Sequence, residues 1–193
     1  MQQVTALAEK AQDGDNAAFE ELVSLFQAEI FRMVYYRTQS RMDAEDLTQE
    51  IFLLAYKNLS GLKDLDRFRP WIFSIAVNRV RDFHRKKRIL SIFSFSSDEG
   101  EQEIPDSEIH GDPGVLQQIM NHEFWGQVKR LANKFSPLER EVFFLRFMDD
   151  LSIKEISEVL SKSESAVKTH LYRSLKKFKE DSAFLQVLKG DKS

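Results

Sequence analysis

Five side chains near the end of this chain, Lys168, Thr169, Tyr172, Arg173 and Lys176, fall at three- and four-residue steps and share one side of a predicted helix. Their chemistry suits duplex DNA. Arginine and lysine bind phosphate oxygens or guanine edges, threonine meets a base edge or methyl group, and a helix N-terminus accepts a phosphate. The other side carries Val167, Leu171, Leu175 and Phe178, a stripe that would face a preceding helix through Ile153, Ile156 and Leu160. Two helices joined through Ser161-Lys162-Ser163 form a helix-turn-helix pattern, although the turn lacks the glycine often found there. A charged, solvated helix in an all-helical protein is the competing account of the same residues.

Two further constellations carry polar chemistry. The segment DAEDLTQEIF, Asp43 to Phe52, puts Asp46, Gln49 and Glu50 together on the polar side of a helix. Such a cluster could serve acid-base chemistry or hold a metal. With no histidine and no glycine-rich phosphate loop beside it, an acidic docking face or compensation of the helix dipole is the favoured account. The run DLDRFRPWIFSIAVNRVRDFHRKKR, Asp64 to Arg88, mixes aromatic and basic residues as a single-strand binding surface does. Trp71 and Phe83 fall on its apolar stripe and are expected in the core, which leaves Asn78 as the residue placed to read a base edge. The four histidines, His84, His110, His122 and His170, have no metal-ligand spacing, and no nucleophile, nucleotide or dinucleotide motif is present. No catalytic residues, cofactor or metal are expected.

The chain has 193 residues, a 42% hydrophobic share and no cysteine, so it can build a core without disulfides, thiol catalysis or cysteine zinc sites. The opening MQQVTALAEKAQDGD predicts neither export nor membrane insertion, and a cytoplasmic location is expected. A net charge of -3 conceals blocks of opposite sign. Between Arg67 and Arg88, Asp82 is the single acid among eight cations, whereas Asp98 to Asp112 holds seven acids and no Lys or Arg. With a second basic block from Lys168 to Lys179, this order suggests two nucleic-acid contacts separated by a polyanionic spacer.

Helical periodicity recurs almost throughout, which predicts an all-α protein. The first helix is expected from about Asn16 to Tyr36, capped by Asp15, with Phe19, Leu22, Val23, Phe26, Ile30 and Val34 inward. A second starts at Asp43 with Ala44, Leu47, Ile51, Leu54 and Ala55 and ends near Asn58, with Gly61 as its stop. A third begins at Pro70 and buries Trp71, Ile72, Ile75, Ala76, Val80 and Phe83. From Ile89 to Pro113 the composition turns to Ser, Asp, Glu, Gly and Pro, the mark of a linker. Periodicity returns with Val115, Ile119, Trp125, Val128, Leu131 and Phe135. Capping boxes at Ser136-Pro137-Leu138-Glu139 and Ser152-Ile153-Lys154-Glu155, then an N-cap at Ser163, predict three more helix starts.

Read in order, DAEDLTQEIF, FRPWIFSIAVNRVRD and SPLEREVFFLRF…LSIKEISEVL…SESAVKTHLYRSLKKFK make the chain resemble a bacterial sigma factor of the extracytoplasmic-function (ECF) group, from about Asp13 to Lys179. The resemblance implies a helical promoter-melting domain over 1–88, a flexible acidic linker over 89–113, a four-helix helix-turn-helix domain over 114–181 and a tail over 182–193. It implies a non-enzymatic subunit of RNA polymerase. Asp43, Asp46, Gln49 and Glu50 match the motif that docks on the clamp helices of the largest subunit, and the second-largest subunit's flap is a further expected contact. Ser60, Leu62, Lys63 and Asp64, in the loop to Asp66, match positions that with Asn78 capture a flipped minus-10 base, and Arg79, Arg81 and Arg85 sit where strand phosphates pass. Ser165, Lys168, Thr169, Tyr172, Arg173 and Lys176 match positions that read the minus-35 element. An anti-sigma protein, often membrane-anchored, is the expected regulator, and family linkers thread through the polymerase near the active site. A stand-alone helix-turn-helix regulator with a helical sensing domain is the alternative, and an enzyme acting on nucleic acid is a third, disfavoured by the absence of metal ligands.

Overall fold

A computed structural model describes residues 2–94 and 134–180; the helix expected around Val115 to Leu131, the acidic spacer and the tail lie outside the described residues. Among the described residues the regular structure is entirely helical: α1 (Gln2–Gln12), α2 (Asn16–Thr38), α3 (Arg41–Asn58), α4 (Phe68–Ser94), α5 (Pro137–Phe147), α6 (Ile153–Val159) and α7 (Glu164–Glu180). Two 3-10 turns, Leu59–Gly61 and Leu65–Arg67, connect α3 to α4. The described residues fall into two compact units, one from residues 2–94 with 145–164, the other from 134–144 with 165–180.

The first unit is built around α2, α3 and α4. Asp15 caps α2 through a bond from the Ala18 amide, and the helix buries Phe19, Leu22, Phe26, Ile30, Met33 and Val34. Its end is set by Gln39, whose left-handed backbone (φ 56°) lets its amide return to the Tyr35 carbonyl. Ser40 then caps α3, so this helix starts at Arg41 and not at Asp43 as the sequence suggests. Ala44, Leu47, Ile51, Phe52 and Ala55 face inward from α3. From α4, Phe68, Ile72, Phe73 and Ala76 are wholly buried, each worth about 1.5–3 kcal/mol for the larger side chains. Trp71, Ile75 and Phe83, expected inside, are only half-buried. The helix starts two residues before Pro70 because Phe68 packs on Phe26 with ring centroids 5.4 Å apart, and it continues past Ile89 to Ser94.

Helix α1 is not among the helices expected above. Leu7, Ala8 and Ala11 fall at helical steps and are buried, and the helix packs on α2 and on both 3-10 turns. In the same unit residues 145–164 contribute Leu145, Leu151, Ile156 and Val159 to burial. Ser152 and Glu155 complete their capping box reciprocally, at 3.2 and 2.8 Å. In the second unit Phe135 and Phe143 form a small core with Phe144, Leu175 and Phe178. There Ser136 and Glu139 also close the expected box, at 3.3 and 2.9 Å.

Candidate nucleic-acid interface

In the second unit, the polar face of α7 is as its spacing predicts. Ser165, Lys168, Thr169, Tyr172, Arg173 and Lys176 are all exposed, while Val167 and Ser174 are buried. Ser165, Lys168, Thr169 and Tyr172 line an open depression of about 490 Å³. Tyr172 is 71% exposed, an unusual position for an aromatic ring, and Thr169 is steadied by donating to the Ser165 carbonyl at 2.9 Å. The helix is fixed from its far end. Lys177 donates to the buried Glu139 carboxylate at 2.6 Å and to the Lys134 carbonyl at 3.2 Å, and the Phe178 ring stacks on Phe143. The Glu139 carboxyl is held below the usual carboxylate range, first by the Lys177 hydrogen bond and then by the Ser136 amide, against burial that pushes it up.

In the first unit, Asp46, Gln49 and Glu50 stand exposed on α3 with Asp43 half-exposed beside them. Their spacing puts them on one side of the helix, beside the buried stripe of Leu47 and Ile51. Glu50 forms an ion pair with Arg79 of α4, so the acidic face and the basic helix are tied together at this point. Arg79, expected among the cations that meet strand phosphates, is thereby partnered within the protein. Arg81 is exposed and donates weakly to the exposed Asn78 side chain at 3.4 Å, and Arg85 pairs with Asp82 at 3.0 Å with 70% of its side chain in solvent.

The loop between α3 and α4 presents Ser60, Lys63 and Asp64 to solvent, with Leu62 half-buried. Asp64 accepts from the Asp66 amide at 3.2 Å and pairs with Arg67 at 3.0 Å, so part of its charge serves the loop itself. Gln12 of α1 donates to the Leu59 and Leu62 carbonyls, and Thr5 donates to Asp66. Neither contact is foreseen from the sequence, because the partners are 47 to 61 residues apart and Gln and Thr carry no pattern of their own.

Other cations are committed to the fold. Arg37 of α2 pairs with Asp149 at 2.8 Å, with side chains only 5% and 1% exposed. Arg69 donates to Glu29, to Glu155 at 2.9 Å and to the Asp149 carbonyl at 3.1 Å, and Arg67 lies 3.8 Å from Glu158. Burial alone would push the Arg69 pKa down; its hydrogen bonds to Glu29 and Glu155 outweigh that and raise it. Arg67 and Arg69, read from sequence as part of a nucleic-acid block, are therefore engaged with carboxylates. Among the described residues no helix is long and apolar enough to cross a membrane.

Known proteins resemble this chain in sequence and in fold. Residues 22–89 match the family described as Sigma-70 region 2, and residues 125–178 match Sigma-70, region 4. The ECF RNA polymerase sigma factor SigW of Bacillus subtilis is 30% identical over 162 residues, spanning 83% of this chain and 86% of SigW. The ECF RNA polymerase sigma factor BldN of Streptomyces coelicolor is 33% identical over 173 residues, 88% of this chain but only 62% of BldN's length. Two solved structures share the fold: CnrH in complex with the cytosolic domain of CnrY, with a TM-score of 0.66, 23% identity and 99% of each chain covered, and the sigma factor RpoE in complex with the anti-sigma factor NepR from Bartonella quintana, with 0.63, 16%, and 88% and 97% covered.

Proposed function

We propose, from the premise that this chain belongs to the ECF RNA polymerase sigma factors of the sigma-70 family, that it is a non-enzymatic initiation subunit that binds core polymerase and directs it to promoters. The observation that carries the reading is the face of α7, where all six residues expected to meet the minus-35 element are exposed on one side of a helix buried at Val167 and Ser174. Asp43, Asp46, Gln49 and Glu50 dock on the clamp helices of the largest subunit. The loop 60–66 and Asn78 take up a base extruded from the minus-10 element, while Arg81 and Arg85 follow the strand phosphates. Extruding a base costs a few kcal/mol, and a shaped pocket with cationic walls offsets that cost, so melting is driven by binding with no nucleotide hydrolysed by this chain.

The proposed organisation assigns 1–88 to core binding and melting, 89–113 to an acidic linker and 114–181 to the upstream element, with a tail over 182–193. The acids from Asp98 to Asp112 would occupy the nucleic-acid path in the polymerase and yield to emerging RNA. The protein works in the cytoplasm and is restrained by an anti-sigma partner, a reading supported by the NepR complex of the RpoE neighbour. Run-off transcription with core polymerase tests the proposal. Promoter-specific transcripts that core alone does not make are expected; tight, specific duplex binding without polymerase would instead favour a stand-alone regulator.

A further inference from the structure

Gln12 belongs to none of the surfaces assigned above, yet it holds one of them. It lies half-buried in the last turn of α1, and its side-chain nitrogen donates to the Leu59 carbonyl at 2.7 Å and to the Leu62 carbonyl at 2.8 Å. A carboxamide nitrogen has two hydrogens, and both are used. The two acceptors bracket Ser60 and Gly61, in the 3-10 turn the chain makes on leaving α3. The Leu62 amide closes the same turn onto the Leu59 carbonyl at 3.0 Å.

Farther along, the Thr5 hydroxyl donates to the Asp66 carboxylate at 2.7 Å, so α1 grips the loop near both ends. Leu59 anchors it with 2% exposure. Between the two grips, the side chains of Ser60, Lys63 and Asp64 remain in solvent. Because Gln12 bonds to backbone, it fixes the path of the loop without consuming any side chain the loop offers.

We propose that Gln12 is a positioning residue that sets the path of residues 59–62 and thereby the base preference of the loop. This inference rests on the assignment of the loop to the minus-10 element. Displacing a recognition loop by a fraction of an ångström lengthens its hydrogen bonds to a base, and discrimination falls while the rest of the complex is untouched.

The full chain is assembled with core polymerase and used to select from fork-junction DNA carrying a short randomised single-stranded stretch, which is then sequenced. Gln12→Leu keeps the size and removes both donors. It is expected to flatten the preference at the position facing the loop by roughly five- to tenfold, with core affinity and upstream duplex selectivity unchanged. Gln12→Lys, whose ammonium can donate to both carbonyls, should restore much of it. An unaltered preference in Gln12→Leu overturns the proposal, as does a Gln12→Lys variant as flat as Gln12→Leu. Equal loss of base preference, core affinity and thermal stability shows a brace of the fold only. If the unmodified chain with core shows no preference, the minus-10 assignment itself fails and this inference with it; a preference that Gln12→Leu leaves intact sinks the inference alone.

Discussion

Arg69 and Arg81 lie on the same helix and use the same side chain for opposite ends. Arg69 is enclosed by Glu29, Glu155 and the Asp149 carbonyl, with its guanidinium also over the Phe73 ring, whereas Arg81 is exposed to solvent and donates weakly to Asn78. The contrast extends to Arg37, nearly sealed against Asp149, and to Arg173, exposed on α7. A basic block in a sequence is therefore two populations, one that binds the fold and one that is available to bind something else. What separates them is the presence of a carboxylate from elsewhere in the chain.

Removing one partner of a buried pair leaves the other charge desolvated and uncompensated, so Asp149→Ala should cost about 3–5 kcal/mol of unfolding free energy in urea titrations. A loss below about 1 kcal/mol would erase the distinction between the two populations. On the exposed side, Lys168→Ala with Arg173→Ala should remove about 1–3 kcal/mol of upstream-element affinity per residue, leaving core binding intact and stability within about 0.5 kcal/mol. Equal loss of core binding and upstream selectivity would count against the roles given to α7.

A smaller effect comes from the Ser136 and Glu139 box. Ser136→Ala should destabilise by about 1 kcal/mol at neutral pH. Because the folded Glu139 carboxyl sits below its unfolded range of about 4.3, its contribution is complete above that value and disappears as pH falls through the folded one. Glu139→Gln should accordingly blunt the loss of stability between neutral and strongly acidic pH, as measured by thermal unfolding across that range. The smallest effect belongs to Arg41 and Glu45, an i,i+4 pair with side chains 50% and 56% exposed: Arg41→Ala should change stability by no more than about 0.5 kcal/mol.

Much of this was legible in advance where the cause is local. Asp15 and both capping boxes could be read because a cap and its amide are three residues apart, and the outward face of α7 because helical geometry alone decides which residues share it. The early start of α3 was hidden in Gln39, whose side chain stabilises a left-handed turn by donating to the Tyr36 carbonyl at 2.9 Å without any glycine to announce it. Ser161 also adopts a left-handed backbone between α6 and α7, at φ 51°, with its amide returning to the Glu158 carbonyl at 3.2 Å, so that turn dispenses with glycine. Long-range pairings had no local sign. Glu50 with Arg79, Arg69 with Glu155 and Gln12 with Leu62 join positions 29 to 86 residues apart, and each decides what its site residue is able to do.

The pairing of Arg37 with Asp149 also sets an order of events. The arginine is synthesised 112 residues before its carboxylate, which at about 5–20 residues per second is a wait of roughly 6–20 s on the ribosome. In that interval the guanidinium has the Met33 carbonyl of its own helix, 2.9 Å away in the finished protein, but not the charge that seals it. The nascent N-terminal helices thus carry an open, hydrated seam that closes only once the later half of the chain has been made.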